Sequence, residues 1–78
     1  MSVTAYVLIQ TEVGRAEKVA KAARDIGGVV TADNVAGPYD VIVKTEADSL
    51  DELGQLVVSA IQKVDGITRT FTCPIVNL

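Results

Sequence analysis

Apolar positions near the start of the chain change from a continuous run to a helical spacing. Val3 to Gln10 is apolar almost throughout and rich in β-branched residues, which predicts a strand buried on both faces. The next apolar residues recur at helical intervals with charged residues between them, at Ala16, Val19, Ala20, Ala23 and Ile26. Gly27 and Gly28 predict the end of this helix, because glycine accepts the left-handed conformation that commonly follows a last turn.

Two β-branched runs follow the helix. Val29 to Ala36 predicts a second strand and Tyr39 to Thr45 a third. Gly37 and Pro38 lie between them and favour a turn, so the two strands are expected to pair as a hairpin.

The last third of the chain repeats the order of helix and strand. Ser49 and Glu52 form a capping-box pattern at the start of a second helix, whose apolar stripe is Leu50, Leu53, Val57, Ala60, Ile61 and Val64. Gly54 inside this helix suggests close packing against the sheet. A final strand runs from Ile67 to about Val76, and Pro74, which has no N–H for a neighbouring strand, predicts an edge position.

The order β-α-β-β-α-β predicts an α+β, ferredoxin-like fold, with residues 1–78 as a single domain. Right-handed crossovers place both helices on one face of a four-stranded antiparallel sheet, with the first and third strands in the middle. The other face should then be polar, yet Tyr6, Leu8 and Ile42 fall on it. We therefore predict dimers that form through this open sheet face.

Composition narrows the classes of function. The net charge is −3 and the basic residues are scattered, which argues against binding to nucleic acid or to an anionic membrane. The N-terminus does not resemble a signal peptide, and no apolar run approaches the roughly 20 residues that span a bilayer, so we expect a cytoplasmic protein. The lone Cys73 lies in an apolar run and is expected to be a small buried residue.

The segment Gly37-Pro38-Tyr39-Asp40 is the main candidate for a site. Free backbone N–H groups of such a turn suit a carboxylate and Asp40 suits an ammonium group, so the segment could recognise a small zwitterion. On spacing alone, a stiff hairpin connection with a solvated Asp is the favoured interpretation.

A family resemblance changes that balance. The opening strand Ala5 to Ile9, the segment Val35 to Val41 and the ending Val64 to Thr72 resemble the effector-binding domain of the Lrp/AsnC (feast/famine) regulators, also called the RAM domain. The middle segment matches that family's G-x-Y-D motif followed by an apolar strand. The likeness covers essentially the whole chain.

The resemblance implies a function for this chain. Domains of that family pair through their sheets into dimers, which assemble further into octamers or similar rings and bind amino acids or related metabolites between dimers. By that likeness the ligand-binding residues are Gly37, Pro38, Tyr39, Asp40, Thr70 and Thr72. Pro38 occupies a variable position that is often acidic in relatives, so the identity of the ligand does not transfer.

The chain begins directly with the first strand, and we expect a stand-alone domain without a helix-turn-helix. Such a domain would not read DNA itself and could join a full-length regulator by mixed assembly. A purely structural interaction module is the first alternative, in which the turn only sets the hairpin. Asp33, Asn34 and Arg69 could line either a ligand-binding or a structural surface, and we expect them to be solvated by default. An enzyme is disfavoured, because the chain has no His and its acidic residues show no paired motif on an apolar face. Neither a cofactor nor a metal site is expected.

Overall fold

The computed structural model describes residues 2–76. Along them the chain forms β1 (Val3–Thr11), α1 (Ala16–Arg24), β2 (Val29–Asn34), β3 (Val41–Ala47), α2 (Leu50–Leu56), a π-helical segment (Val57–Ile61) and β4 (Ile67–Pro74). The strands form one antiparallel sheet in the order β2-β3-β1-β4. The predicted fold is confirmed, with β1 and β3 in the centre and β4 at an edge.

One face of the sheet carries the hydrophobic core. Alternate residues of β1, namely Ala5, Val7 and Ile9, are fully buried against the helices. The helices contribute Val19, Ala20, Ala23, Leu53, Val57 and Ile61, and the central β3 contributes Val41 and Val43. Thr45 is the buried polar residue of this layer, and its hydroxyl donates to the carbonyl of Ala5 at 3.1 Å. Mostly small aliphatic side chains therefore fill the core on this side of the sheet.

The opposite face, called the open face below, is not covered by either helix. Leu8 and Ile42 are directly opposite each other there, and Leu8 is also opposite Phe71 of β4. Tyr6 and Phe71 each keep 41% of their surface exposed. The prediction that the central strands present apolar residues on both faces is confirmed, and Phe71 extends the apolar row to the edge.

The expected burial of Cys73 is wrong. Cys73 is opposite Tyr6 in β4 and is exposed on the open face. A β-bulge explains the error: Gln10 is opposite Arg69 but Thr11 is opposite Ile67, so Thr68 is an extra residue. The bulge reverses the alternation, and residues with odd numbers after it face away from the core.

The helices differ in detail from the predicted ones. The first ends at Arg24, before Gly27. Ser49 caps α2 as predicted and accepts from the N–H of Glu52 at 3.1 Å, but Leu50 is 62% exposed instead of buried. No atom lies within 4 Å of a Cβ built at Gly54, so the predicted close packing of this glycine against the sheet is wrong.

After Leu56 the helix widens into the π-helical segment, closed by the N–H of Gln62 bonding to the carbonyl of Val57 at 2.8 Å. A π-helical turn is one residue longer than an α-helical turn, so it shifts the apolar residues that follow it around the helix axis.

Among residues 2–76, no helix is long and apolar enough to cross a membrane.

Candidate functional site

The loop from Val35 to Asp40 connects β2 to β3 and is tied to two strands. The N–H of Val35 donates to the carbonyl of Asp40 at 3.0 Å, which closes the hairpin, and the N–H of Asp40 donates to the carbonyl of Ile9 in β1 at 2.9 Å. The side-chain amide of Gln10 donates to the carbonyl of Pro38 at 3.2 Å. Both flanking strands are shorter here than predicted, so six residues form a loop held against the end of β1.

Gly37 is needed at the tip of this loop for its backbone conformation. Its φ of +153° lies in a region that residues with a side chain rarely adopt, while the space around a Cβ there is open. Gly37 and Pro38 are both exposed. The tip is therefore accessible to a molecule from solvent.

The carboxylate of Asp40 anchors the loop. Its Oδ2 accepts from the backbone N–H of Thr11 at 2.8 Å and from the Thr11 hydroxyl at 3.4 Å. Asp40 is half-buried. Among residues 2–76, no hydrogen bond reaches its Oδ1. One oxygen thus stabilises the loop, and the other can accept from a ligand.

Tyr39 turns toward the open face and contacts the far edge of the sheet. Its ring packs edge-on against Phe71, with 5.7 Å between ring centroids and 73° between ring planes. The guanidinium of Arg69 lies over the ring of Phe71, 5.5 Å from the ring centroid. These three residues form an aromatic cluster that spans β1.

Sequence reasoning did not identify Phe71, and it treated Arg69 as a solvated residue. Both lie on the open face because the bulge at Thr68 reverses which residues of β4 point to each face. The Gly-Pro turn offered no signal that Tyr39 would cross β1 toward β4.

Thr70 and Thr72 lie on the opposite side of the sheet from the aromatic cluster. They are opposite Ile9 and Val7 of β1, whose side chains point into the core. The Thr70 hydroxyl accepts from the side-chain amide of Gln62 at 2.9 Å. Thr72 borders a groove of about 350 Å³ between α2, the π-helical segment and β4, with Leu50, Leu53, Gly54, Val57, Val58, Gln62 and Pro74.

The six predicted ligand-binding residues therefore form two separate groups in one chain. Gly37 to Asp40 lie at the end of β1 on the side of the open face, and Thr70 and Thr72 lie on the helix-covered side. Four surface cavities of about 310 to 530 Å³ are each lined by residues of at most one of these groups. Within the same residues, no three potential metal-ligating His, Cys, Asp or Glu side chains come together.

Comparison with known proteins identifies the fold and its relatives. Residues 4–77 match the model of the Lrp/AsnC ligand binding domain. An uncharacterized HTH-type transcriptional regulator of Pyrococcus furiosus, PF0250, is 32% identical over 92% of this chain and 50% of its own length. The chain spans about half the length of the curated relatives it matches.

Solved structures have the same architecture. TTHA0845 of Thermus thermophilus superposes with a TM-score of 0.91 and 28% identity, covering 97% of this chain and 95% of that one. The transcriptional regulator NMB0573 of Neisseria meningitidis, solved in complex with L-Met, superposes with a TM-score of 0.84 over 96% of this chain and 50% of its own. Its 12% identity shows the shared fold alone.

Proposed function

The chain belongs to the Lrp/AsnC ligand-binding domain family, and we propose that it binds an amino acid or a related small metabolite between subunits and acts through oligomeric assembly. The observation that carries the proposal is the loop from Val35 to Asp40, which is anchored to β1 while its tip stays exposed. A loop fixed before binding loses little conformational entropy when a ligand arrives.

The loop offers suitable groups for both ends of an amino acid. Among residues 2–76, the backbone N–H groups of Gly37 and Tyr39 donate to no acceptor, so they are available to a carboxylate. The free Oδ1 of Asp40 is available to an ammonium group. NMB0573, which shares the fold, was solved with L-Met, and this supports the choice of an amino acid as the ligand class.

The separation of the two groups supports a site between subunits. Gly37 to Asp40 and the pair Thr70 and Thr72 lie on opposite sides of the same sheet, so no single face of one chain presents both. A neighbouring subunit that brings its own Thr70 and Thr72 to the loop would complete the site. Ligand binding would then stabilise one assembly over others.

We propose dimers through the open face as the basic unit, and a ring of dimers such as an octamer as the complete assembly. Leu8, Ile42 and Phe71 form an apolar row across three strands there, and a second copy can bury it. Because the matched relatives are transcriptional regulators, we place the domain in the cytoplasm, with full-length regulators of this family as candidate mixed-assembly partners.

Thermal unfolding in the presence of each standard amino acid at millimolar concentration tests the ligand. A ligand at about 100 times its dissociation constant adds about 2.7 kcal/mol, which raises Tm by on the order of 10 °C for a domain of this size. The D-enantiomer of any positive amino acid is the control for stereospecific binding. No shift with any member of the panel would contradict the proposal.

A structural interaction module without a ligand is the second candidate, and the bond between Asp40 and Thr11 favours it. Asp40→Asn separates the two, because the amide oxygen can still accept from Thr11 while the charge that attracts an ammonium group is lost. In a ligand-binding domain this variant keeps its own Tm within a few degrees and loses the ligand-induced shift. If Asp40→Asn responds to the same amino acid with an unchanged shift, Asp40 serves the hairpin alone.

A further inference from the structure

Tyr39 differs from its neighbours in how it is held in the loop. Among residues 2–76 its backbone N–H donates to no acceptor, as a donor reserved for a carboxylate requires. On one side of it the carbonyl of Pro38 accepts from Gln10 at 3.2 Å. On the other side the N–H of Asp40 donates to the carbonyl of Ile9 at 2.9 Å. A donor that stays free for a ligand is not held by its own hydrogen bond, so the contact left to hold Tyr39 is that of its ring.

The ring of Tyr39 packs on Phe71, which lies in β4 on the far side of β1. The ring centroids are 5.7 Å apart and the ring planes meet at 73°, an edge-to-face arrangement that aromatic pairs prefer. The guanidinium of Arg69 lies over the ring of Phe71, 5.5 Å from its centroid, and attracts that ring as well. The loop is therefore held by a contact with an edge strand that is not its neighbour in the sheet.

Phe71 reaches this position because of the β-bulge at Thr68. It is directly opposite Leu8 and lies on the open face with it. Without the extra residue, the alternation of β4 counted from Ile67 would point Phe71 toward the helices. Bulges often occur beside functional sites, where they redirect a side chain. This bulge presents the single Phe of the chain to the loop.

We propose that Phe71 is a positioning residue of the ligand site, which holds the ring of Tyr39 and so orders the backbone N–H groups of Gly37 and Tyr39. The inference rests on the proposed function and adds a residue outside the loop that acts through Tyr39. Its contribution to binding is preorganisation, because a loop that is already ordered loses less conformational entropy when a ligand binds.

The order of the loop without any ligand tests this role. NMR order parameters of the Gly37 and Tyr39 amides should lie near the rigid value of about 0.85 and fall toward about 0.6 in Phe71→Leu. Phe71→Tyr keeps the ring and should keep the unmodified values. Tyr39→Leu should loosen the loop as much as Phe71→Leu does, and the double variant should loosen it no further, because both changes remove the same contact. Unchanged order parameters in Phe71→Leu would overturn the proposal.

Hydrogen exchange shows whether the effect is confined to the loop. The N–H of Asp40, bonded to Ile9, should exchange about three- to tenfold faster in Phe71→Leu, the range expected for loss of an aromatic pair. The reference amide is that of Glu46, which donates to the carbonyl of Gly28 at 2.8 Å at the other end of β3 and should be unaffected. Equal acceleration of both amides would mean that Phe71 stabilises the whole domain, which would overturn the proposal.

A matched control separates the loop from the proposed dimer, because Phe71 also lies on the open face. Ile42→Asp changes the same apolar row in β3, two strands away from Phe71. It should dissociate the dimer and leave the order parameters of the loop unchanged. A loss of loop order in Ile42→Asp equal to that in Phe71→Leu would assign the effect to the dimer and overturn the proposal.

Calorimetric titration links the order of the loop to binding, with the standard amino acid that raises Tm most as the probe. Its dissociation constant should rise about three- to tenfold in Phe71→Leu and stay within about twofold in Phe71→Tyr. An unchanged constant in Phe71→Leu would overturn the positioning role and leave the proposed function standing. If no standard amino acid binds the unmodified protein, the proposed function fails, and a loop that is loosened in Phe71→Leu alone still supports the positioning of Tyr39.

Discussion

The two faces of the sheet are built from the same strands, but the helices cover only one of them. On the helix-covered face Ala5, Val7 and Ile9 of β1 are fully buried within one chain. On the open face Leu8 of the same strand is opposite the apolar Ile42 and Phe71, whereas Tyr6 is opposite Lys44 and Cys73. Both Tyr6 and Leu8 remain partly exposed. The single chain therefore completes the first face by itself, whereas it leaves the second uncovered, and that is the face we propose for the dimer.

The edge strand makes the contrast sharper. In β4 the polar Thr70 and Thr72 face the helices, while Phe71 and Cys73 face outward. This inverts the usual arrangement, in which the apolar residues of a strand point into the core. An outward Phe71 is consistent with a face that is selected for contact with a partner.

The largest expected effect lies on the helix-covered face. Ile9→Ala removes a fully buried side chain and leaves a cavity, which should lower the free energy of unfolding by about 2 to 5 kcal/mol. Because the loss is internal to one chain, it should be similar at all protein concentrations. Urea denaturation at two widely separated concentrations measures both properties, and Ile9→Val, with an expected loss of about 1 kcal/mol, is the graded control. A loss that appeared only at high concentration would contradict the division between the faces.

The open face should show the opposite behaviour. Leu8→Asp places a charge in the centre of the apolar row, which should abolish the dimer while the monomer stays folded. Apparent stability should then no longer rise with protein concentration. Val58→Asp is the matched control, because Val58 is 60% exposed on the helix-covered side and the same change there should leave the dimer intact.

Light scattering coupled to size-exclusion chromatography compares these two variants with the unmodified protein. Equal dissociation by Leu8→Asp and Val58→Asp would mean that the open face is not the dimer interface. Retention of the dimer by Leu8→Asp would lead to the same conclusion.

Sequence reasoning predicted the fold because its signals repeat over many residues. The helical spacing from Ala16 to Ile26 and the apolar run of β1 each contain enough positions to tolerate one exception. The open-face dimer hypothesis came from a similar argument, since Tyr6, Leu8 and Ile42 recur at alternate positions of central strands.

The details that failed depend on single residues. The one-residue bulge at Thr68 reverses the faces of Thr70, Phe71 and Cys73, and no pattern in the sequence marks it. The candidate site is affected directly, because this reversal separates Thr70 and Thr72 from the loop. The role of Asp40 also depended on a partner, Thr11, that lies far away in the chain and close in the fold.

The smallest expected changes in stability come from substituting two glycines, one near each face. The space around both glycines is open. No atom lies within 4 Å of a Cβ built at Gly37 or at Gly54, so substitution to Ala is sterically free at both. Of the two, Gly37 alone has a positive φ, at +153°. Gly54→Ala should therefore raise the free energy of unfolding by about 0.5 to 1 kcal/mol through helix propensity, whereas Gly37→Ala should lower it by about 1 kcal/mol through backbone strain.

The same pair of variants separates stability from binding. Gly37→Ala changes the loop tip that we propose for the ligand, so it should also weaken the amino-acid-induced rise in Tm, while Gly54→Ala should leave that rise unchanged. Gly54 borders the groove beside Thr72 on the helix-covered side. A reduced ligand response in Gly54→Ala with a normal response in Gly37→Ala would move the ligand from the loop to that groove, and the helix-covered face would then carry the binding function as well as the core.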